Sequence, residues 1–385
     1  MARSRMATVV SAALLAILAL PGIASAAATC NGKAPTHIGT SGDDIIVGTE
    51  GDDVILGLKG NDTINALGGN DTICGHSGDD VIDGGNGHDW ILAGPGKTSL
   101  TDKDIVRGGA GLDTIWGGQG GDDLRGGNDD DIIYGNNGRD FMAGGGGNDV
   151  LYGGKKADTM YGSGGDDTLN GNSGNDIIIG GDGADTIAGG LGATDTVKYG
   201  HASSGVNVNL ATGVVSGGAG ADTVTTVENV EGSVFADVIV GNASANLLLG
   251  RAGDDTMVGG DGNDTLDGED GNDDLDGGSG VDTLIGRDGD DTLRGGDGDD
   301  TINGNNGNDT GFGQAGDDLM NGGTGDDVFA GGQGNDEING NQDNDTLSGA
   351  LGDDFLNGGQ GTDALDGGPN TDTCIAGESV VNCEA

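Results

Sequence analysis

Aspartate recurs at nine-residue steps through most of the chain, and carboxylates at that spacing suggest one kind of chemistry, the capture of hard cations. The acids fall in three runs. Asp44, Asp53, Asp62, Asp71, Asp80 and Asp89 form the first; Asp113, Asp122, Asp131, Asp140, Asp149, Asp158, Asp167, Asp176 and Asp185 the second; Asp255, Asp264, Asp273, Asp282, Asp291, Asp300, Asp309, Asp318, Asp327, Asp336, Asp345, Asp354, Asp363 and Asp372 the third. Each holds the sixth place of a nonamer like GGDGNDTLD, which spans Gly259–Asp267. The eighth place is nearly always large and apolar, as at Met257, Leu266 and Leu275, and fourteen nonamers follow without a gap from Gly250 to Ile375.

A strict internal period dictates architecture ahead of local propensity. Glycines at places one, two and four allow positive φ and close backbone approach in a tight six-residue turn. The last three residues, such as Thr265-Leu266-Asp267, alternate polar, apolar, polar and read as a very short strand with one side chain inward. Two nonamers then complete one coil, and equivalent residues of successive coils stack at ~4.8 Å.

Stacking creates an electrostatic problem. Two unit charges ~4.8 Å apart repel by about 1 kcal/mol in water and about 3.5 kcal/mol at an effective dielectric of 20. One buried Leu or Ile per nonamer contributes roughly 1.5–3 kcal/mol, whereas ordering nine backbones costs roughly 9–18 kcal/mol. The acid column therefore needs a cation. Carboxylates with turn carbonyls make an all-oxygen site suited to Ca²⁺, while Mg²⁺ resists such extensive dehydration.

GGDGNDTLD and its copies resemble the G-G-x-G-x-D-x-U-x repeat of RTX, or haemolysin-type, calcium-binding proteins. The resemblance implies an all-β fold, a parallel β-roll or β-solenoid with two nonamers per coil and Ca²⁺ in the turns. Each ion is expected between the sixth-place Asp and glycine-turn carbonyls of units n and n+2, which gives roughly 23 complete sites over the three runs.

The chain has 385 residues, 88 of them Gly, only 3% aromatics and a formal net charge of −50. Such a composition otherwise describes a solvated, disordered acidic chain, the state expected without Ca²⁺. It argues against nucleic acid or anionic membrane as a partner.

Met1–Ala28 reads as a cleavable signal peptide, with Arg3 and Arg5, an apolar run over Val9–Leu20 too short to span a bilayer, and the small residues Ala24-Ser25-Ala26. A calcium-binding block is expected over 29–198, with a looped-out insertion at 93–107 after which Asp104 and Val106 resume the pattern. The GKT of Gly96–Thr98 lacks the preceding glycine and the strand-to-helix context of a phosphate loop. Asp129 and Lys156 replace the fourth-place Gly in two units, and a lysine there sits close to the acid column. Residues 199–249 carry few acids, with Glu228, Asp237 and Asn246 at the sixth places. Val230, Ile239 and Leu248 lie nine apart and lead to Met257. This stretch reads as a degenerate solenoid connector with weak or absent Ca²⁺ sites, the alternative being a separate small β domain. A second calcium-binding block follows over 250–385, with Gly311 in place of the eighth-place apolar residue.

Four cysteines in an exported chain imply disulfides. Of the three pairings, Cys30–Cys74 with Cys374–Cys383 would staple both ends of a solenoid, which otherwise lack a neighbour. No C-x-x-C pair supports a metal-thiolate site. No nucleophile elbow, H-E-x-x-H or other catalytic constellation is present, and the many paired acids read as ligands rather than glycosidase carboxylates. The expectation is a secreted, non-enzymatic protein that folds on Ca²⁺ binding into a rigid extracellular rod of structural or adhesive use. The alternative is a non-catalytic partner of a separately encoded secreted hydrolase or toxin. Trp90, Trp116, Tyr134 and Tyr152 stand at outward places and are candidates for recognition.

Overall fold

The computed structural model describes residues 7–9, 28–94, 102–192 and 194–383, and every element among them is a β-strand. The expected signal peptide lies outside the described residues except for Ala28 and for Ala7–Val9, which runs parallel to Asp44–Ile46. The GKT at Gly96–Thr98 and the centre of the 93–107 insertion also lie outside them. No helix among the described residues is long and apolar enough to cross a membrane. The chain divides into two units, Met1–Asp195 and Thr196–Ala385.

In the first unit each strand pairs in parallel with the strand one coil on. Thr114–Gln119 pairs with Ile132–Asn137, and Ile132–Asn137 with Val150–Lys155; on the opposite sheet Asp123–Asn128 pairs with Phe141–Gly146. Consecutive nonamers alternate between the two sheets, so two make one coil of a parallel β-solenoid. The eighth-place side chains fill the narrow space between: Ile91, Ile115, Ile133 and Leu151 from one sheet and Val106, Leu124, Met142 and Met160 from the other are all 0% exposed.

The strands are longer than the three residues expected. Thr114–Gln119 runs TIWGGQ, through places one to three of the next nonamer. At place two the chain takes a positive φ, +118° at Gly118 and +76° at Asn136, yet Gly118 still pairs with Asn136. The left-handed residue bends the strand without interrupting its ladder, which a polarity pattern does not reveal. Across the insertion, Asp80 stacks on Asp104 at a separation of 24 residues rather than 18, a net addition of six, and Val81–Asn86 pairs with Ile105–Ala110.

In the second unit the same ladder extends through the connector. Val230 pairs with Val197 and Leu248 on one sheet, and Ile239 with Val208 and Met257 on the other. One feature departs from the repeat: Val206–Asn209 also pairs antiparallel with Val214–Gly217, a hairpin with Val215 buried. At Gly311 the core is completed from the next coil, since a Cβ there would lie 3.0 Å from the ring of Phe329. Phe329 is 1% exposed, whereas Phe312 faces out.

Cys30 is bonded to Cys74 and Cys374 to Cys383, with Cα atoms 5.8 Å apart in each pair. Cys30 packs with Leu56 and Cys74, bordered by Trp90 and Leu92, on the outside of one sheet. The Lys33 ammonium donates to Thr72 Oγ1 at 2.8 Å. The lead-in is thus laid over the first coils of that face and stops there.

Candidate metal sites

The sixth-place acids occupy the turn just ahead of each strand, and all 29 are 5% exposed or less. Their two oxygens have different fates. From Asp62 on, Oδ1 accepts the main-chain N–H of the residue stacked one coil earlier, as where Asp131 to Asp149, Asp149 to Asp167 and Asp282 to Asp300 are each 2.7 Å, whereas in Asp44 it is Oδ1 that is bare and Oδ2 that accepts the Thr40 N–H. Oδ2 is buried without a hydrogen-bond partner in Asp62, Asp71, Asp80 and Asp89, at nine-residue steps from Asp104 to Asp176, and at every sixth place from Asp255 to Asp372. A second oxygen lies close by. A Cβ at Gly153 would fall 2.7 Å from Asp158 Oδ2 and 2.7 Å from the carbonyl oxygen of Gly171; at Gly277 it would fall 2.6 Å from Asp282 Oδ2 and 2.6 Å from the Gly295 carbonyl. Glycine leaves that space open.

A buried carboxylate oxygen with no donor is costly, and more carbonyl oxygens do not relieve it. The donor set of carboxylate plus main-chain carbonyl fits Ca²⁺. Among the described residues no three His, Cys, Asp or Glu side chains form a cluster able to hold a metal. An ion in these turns must therefore draw on carbonyls, which the turns supply in number.

Burial pushes Asp131 and Asp158 up to about 8 and Asp255 and Asp318 up to about 7. The N–H donated from the preceding coil pulls each back, and neighbouring carboxylates add to the rise. At Asp140, raised to about 6 by burial, Lys156 acts downward. A folded-state value above the unfolded one means that the folded chain holds more protons. The stability this gives is complete below the unfolded value near ~4 and is lost as pH rises through about 6 to 8. Without calcium, the protein is therefore expected to keep more β-structure at pH 5 than at pH 8. Calcium addition at pH 6 should release protons into a weakly buffered solution. Equal circular dichroism at both pH values would rule out buried carboxylates as the cause.

Three sixth places solve the problem without an ion. At Asp53, Oδ1 accepts from Thr36 Oγ1 at 3.0 Å, and Oδ2 accepts the Thr49 N–H at 2.7 Å and its hydroxyl at 3.0 Å. At Asp237, the Ser233 hydroxyl donates to Oδ1 at 2.7 Å and the Ser233 N–H to Oδ2 at 2.6 Å. Asn246 puts an amide where the carboxylate would be, its Nδ2 donating to the Glu228 carbonyl at 2.7 Å. Asn246→Asp would set an oxygen against that carbonyl, at a cost of about 1–3 kcal/mol. The variant's second unit should melt lower at limiting calcium and recover at high calcium; a deficit that calcium leaves untouched would count against a latent site.

After the insertion Asp104 resumes the nine-residue count, as its sequence position suggests, whereas Asp195 and Glu378 escape it. Asp104 is 1% exposed, accepts the Asp80 N–H at 2.8 Å and has a bare Oδ2. Asp195 accepts the Asp176 N–H at 2.7 Å across 19 residues. Glu378 closes the C-terminal end, its Oε2 accepting the Asp363 N–H at 2.8 Å. Fifth-place Asp and Asn form a parallel outer ladder, as where Asn148 donates its N–H to Asp130 Oδ1 at 2.8 Å and Asp166 to Asn148 Oδ1 at 2.7 Å. That ladder had a signal, the repeated Asp-Asp and Asn-Asp pairs. The fourth-place substitutes Asp129 and Lys156 adopt φ of +74° and +73°, so the turn is preserved at a residue other than glycine.

Two sheets of parallel strands, an apolar column between them and oxygen-lined turns define a β-roll with repeated cation-binding turns. The family model of the RTX calcium-binding nonapeptide repeat, built of four copies, matches in overlapping stretches that cover 38–194 and 231–374. The chain belongs to this family, and its repeats imply Ca²⁺ binding. No curated protein matches the chain.

Proposed function

We propose that the protein is exported, folds outside the cell as its acid columns fill with Ca²⁺, and serves as a rigid structural or adhesive rod. The observation that carries this reading is the column of buried carboxylates, each with one oxygen bonded to the preceding coil and the other bare beside a glycine carbonyl. The ligands are the sixth-place aspartates with a bare Oδ2, joined by Asp104, together with place-one carbonyls one coil on. Ca²⁺ supplies the positive charge that these oxygens lack. Oδ1 holds each carboxylate in position through its main-chain hydrogen bond, and the eighth-place column keeps the coils in register. Export is supported by the composition of Met1–Ala28 and by the two disulfides, which belong to an oxidising compartment.

Elemental analysis of the purified protein after dialysis against calcium, paired with small-angle X-ray scattering, tests the reading. Bound calcium on the order of 20 ions per chain, with an elongated scattering profile that expands to that of a coil in chelator, is the expected result. Two or three ions, or a profile insensitive to chelator, would overturn it.

A further inference from the structure

One outer face of the first unit is unlike the rest of this acidic protein. On the sheet that carries Ile91, Ile115, Ile133 and Leu151 inward, the outward seventh- and ninth-place rows run from Thr72 and Cys74 to Thr186 and Ala188 without a single charged residue. The opposite sheet carries Asp83, Arg107, Asp123 and Arg125 at the same places. The uncharged rows hold a column of aromatic rings. Trp116 and Tyr134 stack with centroids 5.4 Å apart at 7°, Tyr134 and Tyr152 at 5.1 Å and 9°, and Trp90 leans on Trp116 at 4.9 Å and 44°. Beside the column opens a groove of about 330 Å³ lined by Leu92, Trp116, Gln119, Asn136 and Asn137. The stapled lead-in covers the start of this face, with Lys33 on Thr72 and Cys30 on Leu56 and Cys74, and borders Trp90 and Leu92.

We propose that this face binds a neutral glycan. A sugar ring offers apolar C–H patches and hydroxyls that both donate and accept. The face matches each property, with aromatic surfaces for the former and the three amides, each donor and acceptor at once, for the latter. The groove falls in the size range of small-ligand sites. Fixed coil spacing repeats the rings along the axis, which suits a polymer rather than a single sugar. Neutrality of the ligand follows from the two rows, which present no charged side chain to pair with a charged ligand of either sign. The proposal rests on the calcium-loaded roll as the folded state and gives that rod an adhesive target.

Trp90 and Trp116 are the two tryptophans of the chain, so tryptophan emission, excited selectively over tyrosine, reports on this face alone. The calcium-loaded protein would be titrated with soluble β-glucan, xylan and starch, and with polygalacturonate as a charged control. Affinity electrophoresis would run in the same gels, and far-UV circular dichroism in the same buffer would monitor the fold. A saturable emission shift and retarded migration with at least one neutral polymer, absent with polygalacturonate and lost in Trp116→Ala and Tyr134→Ala, is the expected result. A normal circular dichroism spectrum with no shift from any neutral polymer overturns the proposal and leaves the roll intact. So does binding to polygalacturonate alone, which would point to Lys155 and Lys156 at the border, or a fluorescence change that tracks protein concentration and marks a second copy on the face. Loss of the circular dichroism signal itself would count against the calcium-loaded fold instead.

Discussion

Chelation of calcium with EGTA at pH 7.5 is expected to abolish most of the β-signal in far-UV circular dichroism, with recovery on adding calcium and none on adding equal magnesium. From Asp255 to Asp372 each coil places two sixth-place carboxylates in the interior, each with a bare Oδ2. Leaving a buried polar atom unpaired costs roughly 1–3 kcal/mol, and more for a charged one. The two eighth-place side chains of a coil contribute roughly 1.5–3 kcal/mol each, and the same coil must order eighteen backbones at about 1 kcal/mol or more apiece. Apolar burial leaves no surplus against the carboxylates. Protons relieve them only below the raised values near 6 to 8, so at pH 7.5 the burden falls on the cation. Magnesium fails because it holds its water and demands octahedral geometry that carbonyl-rich turns do not present. Protection from hydrogen exchange should persist longest in chelator around Asn229–Glu231 and Val238–Val240, where Asp237 and Asn246 are satisfied by hydrogen bonds. A β-signal unchanged by EGTA would mean that the ladders and the apolar column suffice and that the carboxylates remain protonated.

The legible part of this molecule is what repeats without error. The nine-residue period sets the coil, the eighth place sets the core, and the pairing of Ile133 with Leu151 eighteen residues on follows from both. The unread part lies where one coil borrows from another. Phe329 fills the gap at Gly311 from a neighbouring strand, a compensation visible only once the two are stacked. Asp195 and Glu378 enter the columns at separations of 19 and 15 residues, because a shifted count still leaves a turn geometry that demands an acid. The division of labour within one carboxylate, Oδ1 for the chain and Oδ2 for an ion, is likewise a property of the stack. So is the difference between two kinds of glycine. Place two needs a left-handed backbone, which Asn136, Arg287 and Asn305 also adopt; place one needs room beside the carboxylate, which leaves space for no more than the methyl of Ala66.

That difference yields the second large effect. Gly322→Val should disable the second unit, whereas the adjacent Gly323→Asn should be the milder of the two and should leave calcium binding intact. A Cβ at Gly322 would lie 2.9 Å from the Gly340 carbonyl oxygen and run into Asp327 Oδ2, in the space where an ion must reach both. Ala66, at the same place of its own nonamer, is accommodated with 0% exposure, so one methyl is tolerated and the branched side chain is the decisive probe. Overpacking alone costs about 1–3 kcal/mol, and the variant also forfeits whatever calcium contributes through Asp327. Gly323, at φ +125°, stacks between Asn305 at +78° and Asn341 at +80°, two residues that already show the left-handed turn with an amide side chain. A Cβ on the present backbone of Gly323 would run into the Asn305 carbonyl oxygen, so asparagine there requires the turn to relax toward its neighbours' φ, at about 1–2 kcal/mol for the left-handed conformation. Calorimetry in calcium would follow both variants, with bound calcium measured alongside. The expected outcome is a strongly lowered second-unit transition and fewer bound ions for Gly322→Val, against a smaller lowering with the ions retained for Gly323→Asn. Equal losses in the two would show that backbone conformation is the sole demand on these glycines. The space beside Asp327 would then have no part in holding an ion.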